Sequence, residues 1–283
     1  AYNDSDRVRL TFASIRAKRK AWWMLPEYNY QEPEFPKDGD VIADLHQEHE
    51  ADLIRDALAL TGPLNGKIAF DVTGLMRPHI LFLMNYLLLN GVTKYDFIYT
   101  EPEHYSRRVD TAFSKDETSI VRQVAGYEGQ HTPDTTNDIL VLGVGYDHPL
   151  ISRVVSNKEK ARTVQLHSLP SLSADMYHEA LLRLDSVGMA GASEDSIYFS
   201  SANDPYVTAS VLSGAIKSLN SSKPITNLYL STLATKPQAI GFGLFYLTEL
   251  RGSPSSIIFP CTRGYERETG KGLGRSWVYP IEL

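Results

Sequence analysis

Short apolar runs alternate with longer segments of helical periodicity along most of the chain. Four of the short runs end in a polar turn, and each turn leads to a proline at the expected start of a helix. A proline fits the first turn of a helix because its missing N–H has no partner there and its φ angle is already helical. The four strand–turn–helix units are Ile68–Val72 with Pro78, Asp138–Gly143 with Pro149, Ser196–Ser200 with Pro205, and Leu228–Thr232 with Pro237.

This alternation predicts an α/β fold that is Rossmann-like, with a mainly parallel sheet and helices on both faces. We expect residues 1–40 to form an N-terminal arm and residues 41–283 to form a single α/β domain. The first and fourth units share their pattern of turn residues, from Phe70 to Pro78 and from Tyr229 to Pro237. This similarity indicates two duplicated halves, about 41–137 and 138–283, unless it only reflects chemistry common to such turns.

The polar turns hold the candidate ligand-binding residues, because the carboxyl ends of parallel strands meet at one edge of a sheet. A cation, Arg77 or Lys236, directly precedes the proline in the first and fourth units, where it can reach an anionic ligand. The residues expected at one sheet edge, facing a common cleft, are Asp71, Thr73, Arg77, Thr232 and Lys236. The full set of candidate ligand-binding residues is Asp71, Thr73, Gly74, Arg77, Gly145, Asp147, His148, Asn203, Asp204, Thr232, Thr235, Lys236 and Arg263.

Some of these residues are also typical of helix caps. Asp147 is equally suited to capping the helix that follows it, and Asn203-Asp204 has the same position before the third helix. Gly143-Val-Gly145 is half of a dinucleotide fingerprint, but His148 occupies the position of its third glycine, which argues against NAD binding.

No nucleophile elbow, Cys-x-x-Cys pair or His-Glu-x-x-His motif occurs in the sequence. His46 and His49 are spaced as a helical pair, but they lack the surrounding residues of a zinc site and fit a helix surface better. We therefore assign no catalytic residue, no metal ligand and no cofactor.

Composition narrows the classes of function. The net charge of −6 argues against an extended nucleic-acid-binding surface. The single cysteine, Cys261, rules out an internal disulfide and fits a reducing compartment. Because no apolar run reaches the roughly 18 residues of a membrane helix, we expect a cytoplasmic protein without a membrane partner. Trp22 and Trp23 either anchor the N-terminal arm on the domain or form a surface for a protein partner.

A strand that ends in a small-residue turn and leads to a basic residue and a helix resembles the ligand loop of CARF domains. These are Rossmann-like sensors of cyclic oligonucleotides in prokaryotic defence, and SAVED domains are similar to two such halves in one chain. The motif is short, and Leu75-Met76 replaces the Gly-Thr of the commoner CARF loop. The residues that carry the resemblance are Asp71, Thr73, Gly74 and Arg77 in one half and Ser231, Thr232, Thr235 and Lys236 in the other.

The leading hypothesis is a binding module that recognises a nucleotide or other phosphorylated ligand at the carboxyl edge of the sheet. The resemblance implies that such a module acts as a signalling sensor in prokaryotic defence. Helix N-termini and basic residues at one sheet edge suit a phosphate better than an apolar ligand. One alternative is a nucleotide-processing hydrolase or transferase that uses Asp71, Asp147 or Asp204 as acid, base or metal ligand. Another is a non-catalytic subunit of a larger complex, bound through the N-terminal arm.

Overall fold

The structure is a computed structural model. It describes residues 1–45, 49–105, 120–173, 175–186, 188–189, 194–262, 264–265, 267 and 270–283. The described residues divide into two compact units. Unit 1 lies within residues 1–118 and 262–282, and unit 2 lies within residues 119–261 together with Leu283.

The elements follow one another along the chain with helices and strands interspersed. The helices are α1 Asp6–Ser14, α2 Glu50–Thr61, α3 Arg77–Leu89, α4 His148–Asn157, α5 Met176–Ser186, α6 Pro205–Ser222 and α7 Lys236–Phe245. The strands are β1 Ala21–Trp23, β2 Asp40–Ile42, β3 Ala69–Asp71, β4 Lys94–Thr100, β5 His104–Tyr105, β6 Ile120–Gln123, β7 Ile139–Gly143, β8 Arg162–Ser168, β9 Ile197–Ser200, β10 Leu228–Thr232, β11 Ser255–Cys261, β12 Gly270–Lys271 and β13 Ser276–Glu282. Single 3-10 turns lie at Pro26–Tyr28, Glu32–Glu34 and Glu194–Ser196, and a π-helical turn at Tyr246–Leu250 continues α7.

Unit 1 is built on a sheet in which β4 lies between β3 and β13. The short strand β3 runs parallel to β4, whereas β13 pairs with β4 antiparallel along its whole length. Two smaller sheets, β1 with β2 and β5 with β12, complete the strands described in this unit. The helices α2 and α3 bury their apolar faces, including Leu53 and Ile80, which is the burial expected from their periodic apolar positions.

The predicted N-terminal arm carries its own small core in unit 1. The rings of Phe12 and Trp22 are stacked with their centroids 3.7 Å apart, and Tyr2 contacts Trp22 edge to face. Trp23 is also buried, and its indole N–H donates to the hydroxyl of Thr61 at 2.8 Å. Trp23 therefore joins the arm to residues beyond it, whereas Trp22 packs within the arm itself.

Unit 2 is built on a sheet with the strand order β6-β11-β10-β7-β8-β9. All neighbours are parallel except β6, which is antiparallel to β11 at one edge. From β7 the chain winds outward through β8 and β9, and it then returns to β10 on the other side of β7. The winding therefore reverses between β7 and β10, the position at which open α/β sheets bind ligands beyond the carboxyl ends of their strands.

The α/β class predicted from the sequence is confirmed, but the expectation of one shared sheet edge is wrong. Asp71 ends β3 and is followed by Thr73 and Arg77 in unit 1, whereas Thr232 ends β10 and is followed by Lys236 in unit 2. The four helix starts agree with the proline signals, because Pro205 opens α6 and the other three prolines are second residues of their helices. Within the described residues, no helix is long and apolar enough to cross a membrane.

Candidate functional site

Two hydroxyl groups at the end of β10 are buried without a hydrogen-bond partner. Ser231 and Thr232 are both 0% exposed, and neither side-chain oxygen has a partner within the part of the chain that the structure describes. The two side chains point to opposite faces of the sheet because successive residues of a strand alternate. An unpaired buried hydroxyl costs about 1–3 kcal/mol, so these groups are poorly explained as contributors to stability.

The turn after β10 packs directly on the turn after β7. Leu233 N–H donates to the carbonyl of Gly143 at 3.1 Å. A Cβ atom built on Gly145 would lie only 1.9 Å from the carbonyl oxygen of Leu233, so no side chain fits there. Gly145, a predicted ligand-binding residue, therefore has a packing role where the winding of the sheet reverses.

The start of α7 is held by a polar network around Gln238. The Thr235 hydroxyl accepts from Gln238 N–H at 3.2 Å, and Gln238 Oε1 accepts from Thr235 N–H at 3.3 Å, which forms a capping box. The same side chain, which is 0% exposed, accepts from the Ser168 hydroxyl at 2.8 Å and donates to the Ser200 hydroxyl at 2.9 Å. The Thr235 hydroxyl also donates to the carbonyl of Ala202.

Gln238 thus connects α7 to the ends of β8 and β9. Sequence reasoning missed this residue, although the spacing Thr235-x-x-Gln238 is the signal of a capping box. The network shows that Thr235 caps α7. It also holds the start of α7 against the carboxyl ends of β8 and β9.

The other predicted turn residues of unit 2 cap their helices. Asp147 is buried, and its carboxylate accepts from Leu150 N–H at 3.4 Å. The Asp204 carboxylate accepts from Tyr206 N–H and Val207 N–H, both at 2.9 Å. Carboxylates therefore already occupy the positive ends of α4 and α6.

Asn203 has a local partner as well, since its Oδ1 accepts from the Ser201 hydroxyl at 2.8 Å. The start of α7 differs from those of α4 and α6, because its cap is the neutral Thr235 and its first residue is the half-buried Lys236. Of the helix starts described at this edge, that of α7 is the one with a neutral cap and a cation.

Tyr146 and His148, which flank the Asp147 cap, each have a buried polar atom without a partner among the described residues: the hydroxyl of Tyr146 and Nδ1 of His148. The Arg183 guanidinium donates to the Tyr146 carbonyl at 2.8 Å and lies 5.5 Å from the centroid of its ring. Burial, with the nearby carboxylates of Glu179 and Asp175, raises the pKa of the Tyr146 hydroxyl. Tyr146 is therefore a phenol that can donate a hydrogen bond at neutral pH.

His167, near the end of β8, is a buried polar residue that the sequence did not single out. It is 1% exposed, and its Nε2 lies 2.9 Å from Oε1 of Gln165. Nδ1 has no partner in the described part of the chain. Burial lowers the pKa of His167 to about 4, so the imidazole is neutral at physiological pH.

The predicted residues of unit 1 form a turn whose polar groups are bonded within the protein. Asp71 Oδ1 accepts from Thr73 N–H at 2.8 Å, and the Thr73 hydroxyl accepts from Thr100 N–H at 3.0 Å. The Tyr28 hydroxyl donates to the Gly74 carbonyl at 3.1 Å, and a Cβ atom on Gly74 would lie 2.3 Å from the carbonyl oxygen of Ala1. Asp71, Thr73 and Gly74 therefore stabilise the turn.

Arg77, the remaining candidate of this turn, is the half-buried first residue of α3. Two predicted positions, Arg263 and His46, lie outside the described residues. His49 caps α2, because its ring accepts from Ala51 N–H at 3.3 Å.

Unit 1 also holds a buried acid–base pair that the sequence did not indicate. His79 Nε2 lies 3.0 Å from Glu27 Oε1, and both side chains are largely buried. Burial by itself would raise the pKa of Glu27, but the charge and hydrogen bond of His79 outweigh it and hold that pKa below its ordinary value. The pair joins the Pro26–Tyr28 turn to the first turn of α3.

A serine, a histidine and an asparagine form a chain near the starts of β10 and β11. His131 Nε2 lies 2.9 Å from the Ser256 hydroxyl, and its Nδ1 lies 3.3 Å from Asn227 Oδ1. Ser256 is 0% exposed and its hydroxyl already has a partner in His131, so we assign this group no role in ligand binding. His131 also stacks on Tyr229 with ring centroids 4.7 Å apart, which fits a packing role.

Among the described residues, no group of three or more His, Cys, Asp and Glu side chains is arranged to hold a metal ion. No protein-family model matches the chain. A search of curated proteins likewise found no significant match.

Proposed function

We propose that the chain is a binding module that recognises a nucleotide or other phosphorylated ligand at the carboxyl edge of the unit 2 sheet. The observation that carries this proposal is the unpartnered Thr232 hydroxyl, buried at the end of β10 where the winding of the sheet reverses. A ligand that accepts or donates a hydrogen bond there would recover the free energy lost by burying that group.

The charge distribution at this edge favours an anion at the start of α7. A helix N-terminus carries a partial positive charge, and the carboxylates of Asp147 and Asp204 already neutralise that charge at α4 and α6. At α7 the cap is neutral, and Lys236, four residues after Thr232, adds a full positive charge. We therefore assign the phosphate to Thr232 and Lys236.

The order of the parallel strands supports a nucleotide as the ligand. Counted by position in the chain, β9-β8-β7-β10-β11 is the order 3-2-1-4-5 of the Rossmann-like dinucleotide-binding sheets. Gly145 is occupied by its contact with Leu233, and His148 replaces the third glycine of the fingerprint. The proposed phosphate site therefore lies at α7 instead of at the first turn, which disfavours NAD.

The biological role that we propose is that of a signalling sensor in prokaryotic defence, which follows from the resemblance to CARF and SAVED domains. The contacts favour binding over the hydrolase or transferase alternative. The carboxylates of Asp71, Asp147 and Asp204 each accept from a backbone N–H, and this holds them at helix and turn starts.

A thermal-shift screen of nucleoside phosphates, with and without Mg²⁺, tests the proposal, because a ligand that binds the native state raises the melting temperature. Affinities of the hits are then measured by calorimetry for Lys236→Ala. This variant should bind about 10- to 150-fold more weakly, the equivalent of about 1.5–3 kcal/mol for a hydrogen bond to a charged group. Its melting temperature is measured in parallel, so that a loss of affinity can be distinguished from a loss of folding.

Lys223→Ala is the matched control, since Lys223 follows the other end of α6 and donates to the Thr136 carbonyl at 3.0 Å. Its affinity should equal that of the wild type. A screen without any stabilising nucleoside phosphate, or an unchanged affinity of Lys236→Ala, would overturn the proposal. Turnover of a bound nucleotide would favour the hydrolase or transferase alternative.

A further inference from the structure

The hydrogen-bonding state of His167 is fixed by its neighbour on the same face of β8. Gln165 Nε2 donates to the Met189 carbonyl at 3.1 Å, so its Oε1 is the atom that faces His167 at 2.9 Å. The reverse orientation of the amide would place two carbonyl oxygens against each other. His167 therefore carries its proton on Nε2, and Nδ1 is a lone-pair acceptor.

That acceptor has no donor within the described residues, although His167 is 1% exposed. Desolvating an unpaired acceptor costs free energy, so an unfilled acceptor at this depth suggests a donor from outside the chain. Ser168, the next residue, belongs to the network that holds the start of α7. Nδ1 therefore lies near the carboxyl end of β8, at the same sheet edge as Thr232 but on the opposite face, because the register places Thr232 on the face of Leu166.

Two aromatic side chains surround the imidazole. Phe199, the neighbour of His167 across β8 and β9, has its ring centroid 5.9 Å away, and so does Tyr177 of α5. Phe199 is 43% exposed on the edge strand, so an aromatic surface reaches solvent beside the buried acceptor. Tyr177 is half-buried and belongs to α5, not to the sheet.

We propose that Nδ1 of His167 and the ring of Phe199 recognise a nucleobase that carries an exocyclic amino group, as in adenine or cytosine. The amino group donates to Nδ1 while the base stacks on Phe199. A base with a carbonyl at the same position, as in hypoxanthine or uracil, would place one acceptor against another and is rejected. This inference rests on the proposed function, because the base belongs to a ligand that crosses the carboxyl edge of the sheet, with its phosphate at α7 on the other face.

The test compares AMP with IMP and CMP with UMP, pairs that differ by an amino group in place of a carbonyl. The wild-type protein should bind the amino member of each pair at least about tenfold more tightly in calorimetry. His167→Phe keeps an aromatic ring but removes the acceptor, so it should bind both members at the weaker affinity. Phe199→Ala should weaken the binding of both members alike and keep the ratio of their affinities.

Ile120→Ala is the matched control for Phe199→Ala, because Ile120 is an exposed apolar residue on β6 at the opposite edge of the sheet. It should change neither affinity. If nucleotides bind without a preference for the amino member, the inference fails while the proposed function stands. If none of the four binds, the inference fails as well, and an absence of binding by every nucleoside phosphate also removes the proposed function.

A preference that survives in His167→Phe would assign the discrimination to another residue and overturn the inference. The wild-type ratios do not depend on the folding of any variant. They therefore test the inference even if His167→Phe does not fold.

Discussion

In the turn after β3, the Thr73 hydroxyl accepts from Thr100 N–H and the Gly74 carbonyl accepts from the Tyr28 hydroxyl. At the end of β10, directly before the corresponding turn, the Thr232 hydroxyl is just as deeply buried and has no partner among the described residues. The two turns look like copies in sequence, yet their polar groups are satisfied differently. The comparison favours the turn of unit 2 as the ligand site, because the turn of unit 1 is stabilised by its own protein contacts.

The helices that follow the two turns differ in the same way. Met76, at the cap position of α3, makes no side-chain hydrogen bond to the helix, whereas Thr235 and Gln238 form a capping box at α7. The start of α7 is therefore fixed by local bonds that do not involve Thr232. Three further predictions test how far this contrast extends.

The largest effect is expected from filling the close backbone contacts of the two turns. Gly145→Ala places a methyl group against the Leu233 carbonyl, and Gly74→Ala places one against the carbonyl of Ala1. Because backbone atoms must move, each change should lower the free energy of unfolding by about 3 kcal/mol or more, at or beyond the upper end for overpacking. Urea denaturation measures both.

Gly214→Ala is the control for these two variants. Gly214 lies within α6, and no atom would meet its added methyl group within 4 Å. It should raise the free energy of unfolding by about 0.5–1 kcal/mol, because alanine loses less backbone entropy in a helix. A mild effect of Gly74→Ala beside a severe one of Gly145→Ala would show that only the turn of unit 2 is rigidly packed.

The second prediction concerns the pH dependence of stability and uses His167. Its folded pKa is about 4, below the ordinary value of 6.5, so the unfolded chain binds this proton first as the pH falls. The contribution of His167 to the free energy of unfolding is complete above pH 6.5. About 3 kcal/mol of it should be lost as the pH falls from 6.5 to about 4. Denaturation curves across this range should show that His167→Gln lacks this component.

His178→Gln, at an exposed position of α5, supplies the baseline for the same substitution. The free energy of unfolding of each variant is subtracted from that of the wild type at each pH. This difference removes the contribution of the carboxylates, including that of Glu27 in unit 1. If His167→Gln follows the wild-type curve, the imidazole is not held neutral by burial, and the contrast between a satisfied unit 1 and an unsatisfied edge in unit 2 is weakened.

The smallest effect is expected from removing one hydroxyl in each turn. Thr73→Val leaves the buried N–H of Thr100 without its acceptor, so it should lower the free energy of unfolding by about 1–3 kcal/mol. Thr232→Val removes an unpaired hydroxyl and should leave stability unchanged or raise it by up to about 1 kcal/mol. Opposite signs in chemical denaturation support the comparison, and an equal loss in both variants contradicts it.

Local chemistry explains which parts of the fold could be predicted. The strands that become β7, β9 and β10 were predicted from runs of apolar and β-branched residues, and the helix starts from prolines and caps such as Asp147 and Asp204. These signals depend on only a few neighbouring residues, so they can be recognised without knowledge of the tertiary contacts. The candidate turns were found for the same reason.

The division of most strands between two main sheets could not be predicted in this way. Thr100 of β4 pairs with Ser276 of β13, far along the chain, and no local pattern names that partner. The roles of His167 and Gln238 were missed because each depends on atoms from other elements, such as Met189 and Ser200.

By itself, the sequence determined the alternation of strands and helices, the positions of the turns and the caps that begin the helices. Each of these depends on the φ preferences and hydrogen bonds of neighbouring residues. The difference between the bonded Thr73 and Thr232, which has no partner in the described part of the chain, comes from tertiary packing, since the two residues have the same side chain near similar turns. The physical reason is that satisfaction of a buried hydroxyl depends on which distant backbone atoms pack beside it.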